Sequence, residues 1–118
     1  MKKLKCNHYC LVILLFIVII SILSCTRNPM KNLPKGEFVQ SLTSPNGEYT
    51  LNAYRYGGKM SFDAWSVRVE VVFNKNEEKK NIYYKYKQYD IEMMWKNDYT
   101  VIINGTTINI LNEYYYKN

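Results

Sequence analysis

The 118-residue chain has one histidine, His8, and three cysteines, Cys6, Cys10 and Cys25. Beyond residue 25 it has neither. That removes Ser–His–Asp and Cys–His catalysis and His/Cys zinc sites from everything downstream. It also removes disulfides, so any domain there must be held by its core alone. Oxygen ligands are sparse as well. Asn97-Asp98 and Asn74 with Asn76 are too few for a calcium loop, and no metal or cofactor site is expected. Internal repeats and low-complexity runs are missing too.

What is present begins with a leader. Lys2, Lys3 and Lys5 precede an apolar run from Leu11 to Leu23 broken only by Ser21, and Ser24 and Cys25 close it. A basic start, an apolar stretch and a small residue before a cut are the parts of an export signal. As a helix at ~1.5 Å per residue this run is roughly 20 Å long, short of a hydrocarbon core about 30 Å thick. Ile22, Ser24 and Cys25 resemble the lipobox of bacterial lipoproteins. The resemblance implies a diacylglyceryl group on Cys25, which becomes the first residue after cleavage. An uncleaved signal anchor is the alternative. In both cases the lysines stay inside and the rest is exported to the outer face of the cell membrane.

The expected division is a signal over 1–24, an extracytoplasmic tether over 25–35 and one β-rich domain over 36–118. Removing the signal leaves ninety-four residues, enough for one small domain. From Cys25 on, thirteen Lys and Arg face all ten acids, a net charge of +3. This mild excess suits a neighbour of anionic lipid or wall polymer and does not call for nucleic acid. The tether, Thr26 to Lys35, carries Pro29 and Pro34, which favour extended chain.

The domain alternates with period two, which predicts antiparallel strands with one buried face. Tyr49, Leu51 and Ala53 share a face. Trp65, Val67, Val69, Val71 and Phe73 share another, with Ser66, Arg68 and Glu70 opposite. Ile82, Tyr84 and Tyr86 alternate with Tyr83, Lys85 and Lys87; Ile91, Met93 and Trp95 with Asp90, Glu92 and Met94. Ser44-Pro45-Asn46-Gly47 is a turn. Asn104-Gly105 predicts a tight hairpin pairing Ile103 with Thr106, Val101 with Ile108 and Tyr99 with Ile110. The fold class is all-β: a small antiparallel meander or sandwich-like domain of six to seven strands, with Ala64 to Phe73 central, and Trp65 and Trp95 in the core.

Leu33-Pro34-Lys35-Gly36-Glu37, Ser44 to Thr50, Val67-Arg68-Val69-Glu70-Val71, Asn81 to Tyr86 and Thr100 to Gly105 come in an order that resembles domain-of-unknown-function family 5412, small membrane-tethered proteins of Gram-positive bacteria. The resemblance covers nearly all of the chain after the tether. It implies a compact β-rich domain behind a membrane-targeting N-terminus, and no catalytic residue.

Three surfaces compete for a role. Lys79, Lys80, Lys85 and Lys87, interleaved with tyrosines and joined by Arg55 and Lys59, are the candidate anionic contact face. The bland alternative is a charged edge strand with Tyr84 and Tyr86 in the core. Asp90 and Glu92, two apart on one strand and so roughly 6.5–7 Å apart, have the spacing of a glycosidase pair; a small wall-glycan hydrolase would need both in a cleft. Glu113-Tyr114-Tyr115-Tyr116 is expected to fold over an open edge. A large exposed Tyr or Met patch would instead favour an accessory subunit docking on a neighbouring membrane protein. The leading expectation is a non-enzymatic binding or accessory module at the envelope.

Overall fold

A computed structural model describes residues 9–19, 28–58 and 64–118. Residues 9–19 are helical, with the apolar side chains from Leu11 to Ile19 all open. Among the described residues no helix is long and apolar enough to cross a membrane. Cys25 and Lys59 lie outside the described residues.

The rest of the described chain is mostly β. Its strands are β1 (Glu37–Thr43), β2 (Tyr49–Tyr56), β3 (Ser66–Phe73), β4 (Glu78–Tyr86), β5 (Met93–Trp95), β6 (Thr100–Ile103), β7 (Thr106–Asn109) and β8 (Tyr115–Lys117). They form a five-stranded sheet in the order β1-β2-β3-β4-β8 and a three-stranded sheet β5-β6-β7. The inner faces meet in one core. Leu51, Ala53, Val67, Val69, Val71, Ile82 and Tyr83 come from the large sheet, Val101, Ile103 and Ile108 from the small one, and Ile110 from just beyond β7. Val67, Val69 and Val71 of β3 are fully buried, and Val72 on the opposite face is partly buried.

Local chemistry sets the hairpins. Asn104 (φ 47°) and Gly105 (φ 83°) both lie in the left-handed region, as a two-residue primed turn demands. The pairs Ile103–Thr106 and Val101–Ile108 form as expected, and the Ile110 N–H donates to the Tyr99 carbonyl at 3.0 Å. In the first turn the Gly47 N–H donates to the Ser44 carbonyl at 2.9 Å. Asn46 Oδ1 accepts from the Glu48 N–H at 3.0 Å, and Ser44 Oγ from the Tyr49 N–H at 3.1 Å.

Four expectations change. The described strands number eight, and the last pairs parallel to β4 (Tyr83–Tyr115, Tyr84–Tyr116, Lys85–Lys117), so the chain is not a single meander. β4 is therefore internal rather than an edge; as expected, the terminal tyrosines close the open side. Tyr115 stacks on Tyr83 with centroids 5.2 Å apart, and Tyr116 on Tyr84 at 5.4 Å.

A bulge between β3 and β4 also shifts the register: Val69 pairs with Tyr83 and Glu70 with Asn81, leaving Ile82 unpaired. The extra residue lets Ile82 and Tyr83 both enter the core. Tyr84 then falls beside Arg68, and Tyr86 is exposed. Third, β3 is buried on both faces, with Arg68 only 8% and Glu70 6% exposed. Fourth, Trp95 packs against the core but Trp65 stands outside it, edge-on to Tyr89 at 5.5 Å.

Candidate functional site

Period two places Ser66, Arg68 and Glu70 on the outer face of the central strand. Across from Arg68 stand Tyr54 on β2 and Tyr84 on β4; across from Glu70 stand Asn52 and Asn81. A buried arginine needs a partner charge and acceptors, and this one has both. Nη1 donates to Glu70 Oε1 at 3.0 Å and to Asn81 Oδ1 at 2.8 Å. The guanidinium carbon sits 4.1 Å from the Tyr54 ring centroid, a cation–π contact. Asn52 Nδ2 donates to Glu70 Oε2 at 3.4 Å.

The cover over this face comes from the expected tether. Asn28 and Pro29 open a turn, in which Asn28 Oδ1 accepts from the Met30 N–H at 2.9 Å and the Asn28 carbonyl from the Lys31 N–H at 3.2 Å. Met30 is buried, 2% exposed. Residues 30–35 form a strap held at both ends by the outer face. Asn81 Nδ2 donates to the Met30 carbonyl at 2.6 Å, and Arg68 Nη2 to the Lys35 carbonyl at 2.9 Å. Gly36 follows at φ 73°, where a Cβ would lie 2.8 Å from the Arg55 carbonyl oxygen; only glycine brings the strap in that close. Residues 28–35 are therefore not a free spacer.

Strap and sheet enclose an open groove of ≈ 580 Å³. Lys31, Lys35, Arg68, Lys79 and Lys80 line it, and its one carboxylate is Glu70, already paired to Arg68. Lys80 stands across from the core residue Val71, so its side chain leaves on the inner face of the sheet. Lys31, Lys35 and Lys79 are exposed, and Lys80 is half-buried, its Nζ donating to the Ile110 carbonyl at 3.4 Å. Arg68 Nε is buried and has no hydrogen-bond partner among the described residues.

The expected four-lysine face thus divides. Lys79 joins the groove, Lys80 turns its ammonium to the Ile110 carbonyl, and Lys85 and Lys87 line a separate hollow with Tyr86, Lys117 and Asn118. The bulge and the left-handed φ of 59° at Lys87 separate the two halves. Arg55 belongs to neither: its Nε donates to the Tyr89 carbonyl at 3.0 Å and its guanidinium covers the Tyr89 ring. Asp90 and Glu92 are both exposed. The Asn104 side chain braces them through their backbone, donating to the Asp90 carbonyl at 2.9 Å and accepting from the Glu92 N–H at 2.8 Å. The pair sits on open surface rather than in a cleft. Among the described residues no cluster of three or more His, Cys, Asp or Glu side chains is placed to hold a metal.

Sequence reading missed Lys31, Lys35, Arg68, Glu70 and Asn81. One signal for Arg68 and Glu70 was available: a long central strand is the one whose second face is most readily covered. At the inner end of β4, the Tyr83 hydroxyl donates to Gln88 Oε1. Burial pushes its pKa above the ordinary tyrosine value, and hydrogen bonding to Asn104 and Gln88 offsets part of that.

Fold and groove together define a small two-sheet β module with a basic cleft roofed by its own N-terminal strap. The chain belongs to the family of unknown function DUF5412, whose sequence model matches residues 2–118. No curated protein and no solved structure gives a significant match.

Proposed function

We propose that this protein is a non-enzymatic binding module, tethered to the outer face of the cytoplasmic membrane, that engages anionic partners through the strap-covered groove. The observation that carries this reading is the charge of the groove: Lys31, Lys35 and Lys79 bring three cations, unpaired among the described residues, beside an Arg68–Glu70 pair that is already neutral. The leader supports the tether. In this reading Cys25 carries diacylglycerol, and two acyl chains give a stable anchor where one does not; a retained apolar helix is the alternative tether.

Two measurements test it. Intact mass of the membrane-purified chain should show an added diacylglyceryl group that Cys25→Ala abolishes; an unmodified, uncleaved chain selects the helix. For the groove, the full chain in neutral detergent is titrated at low salt with poly(glycerol phosphate) and with soluble short-chain phosphatidylglycerol. Replacing Lys31, Lys35 and Lys79 by Gln should abolish binding, at roughly fivefold per lysine, and the pair Lys85→Gln/Lys87→Gln should leave it intact. Equal binding by the wild type and the triple variant removes the groove from the reading.

A further inference from the structure

The docked strap limits how far the groove can stand from its anchor. Met30 is buried against the sheet, and Cys25 lies only five residues before it. Five residues span at most ~18 Å. If the chain is held at Cys25, as proposed above, Met30 cannot leave the membrane surface by more than that, and Lys31 is the next residue. A freely extended tether through Lys35 would have reached about 35 Å.

We infer that the groove takes the phosphate headgroups of the membrane that anchors the chain, with anionic glycerophospholipid as the ligand class. Three observations converge. The cations come from both walls, Lys31 and Lys35 from the strap and Lys79 from β4. Such walls can grip a phosphate from two sides while its glycerol points outward. Arg68, which lines the groove, carries a buried donor, Nε, with no acceptor among the described residues, and a buried unmatched donor favours an acceptor supplied from outside. The short leash supplies the third. A ligand in the anchoring surface meets the groove at high effective concentration, whereas a free polymer competes only from bulk. Lysines close to an anionic surface each add about fivefold to its attraction.

The test uses the full chain in nanodiscs of phosphatidylcholine, with or without phosphatidylglycerol, read by hydrogen exchange. Phosphatidylglycerol should slow exchange of the amides at 31–36 and 79–81, and raised salt should reverse the effect. The triple Lys→Gln variant should show no slowing; β6 and β7 amides report that it is folded, and the salt reversal in the wild type tests the same point without substitution. A second arm adds poly(glycerol phosphate), and a third inorganic phosphate, to chains in neutral nanodiscs. Protection by the polymer but not by phosphatidylglycerol overturns this inference and leaves the broader anion-binding reading standing. Protection by inorganic phosphate alone also overturns it, as a small-anion site. No protection from any of the three overturns both.

Discussion

Arg68 is the residue on which the outer face turns. It holds Glu70, Asn81, the Tyr54 ring and the Lys35 carbonyl at once. Buried ion pairs contribute little over a well-packed apolar pair, but removing one partner strands the other charge at a cost of about 3–5 kcal/mol. Arg68→Met should therefore lower unfolding stability by an amount in that range, because Glu70 stays buried without its cation. The double variant Arg68→Met/Glu70→Leu should recover most of the loss. Urea midpoints of the three proteins decide it: a double variant no more stable than the single one would mean that the pair is net stabilising. Either way, the strap loses its anchor at Lys35, so the single variant should also show faster exchange there.

At the scale of elements, β8 closes the sheet. Without it β4 would offer a free edge of backbone donors and acceptors, a template for aggregation. Tyr115 is half-buried against the core and stacks on Tyr83 at an interplanar angle of 18°. Stacking of this kind adds about 0.5–1.5 kcal/mol beyond burial, so Tyr115→Ala should cost about 2 kcal/mol by chemical denaturation. It should also raise the tendency to self-associate in gel filtration. An unchanged midpoint with a monomeric profile would show that β8 is ornamental.

The elements also show what was legible beforehand. Alternation alone placed Val67, Val69 and Val71 in the core, and Asn104-Gly105 placed the β6–β7 register, because both are decided by residues that are neighbours in the chain. The bulge at Ile82 was not legible. A strand slips by one residue only when the extra side chain finds a berth, and Tyr83 finds its berth among Gln88, Asn104 and Tyr115, all supplied by later segments. The groove was half legible for the same reason. Lys79 was visible as charge, but the lysines opposite it sit on a stretch whose prolines read as spacer. The burial of Arg68 depends on a strap some thirty-five residues upstream.

For the whole molecule, the question is whether the strap belongs to the cooperative fold. Among the described residues it is anchored by one buried methionine and by two carbonyls held by polar side chains. If it lifts, water can satisfy Asn81 and Arg68, and the apolar core between the sheets loses nothing. Release should therefore be a local opening with a free energy below that of global unfolding. Met30→Ala should weaken docking by up to the 2–5 kcal/mol typical of a buried Met→Ala change. Exchange and proteolysis at residues 28–36 should rise steeply, while core amides of β2 and β3 keep their protection. A uniform fall in protection across the domain would instead make the strap part of the core. The distinction reaches function directly. A docked strap keeps the basic groove within ~18 Å of the anchor, and release would add roughly 20 Å of chain from Met30 to Gly36. Release would also take Lys31 and Lys35 away from Lys79. Met30→Ala should therefore weaken phosphatidylglycerol-dependent protection at 79–81 without touching any of the three lysines.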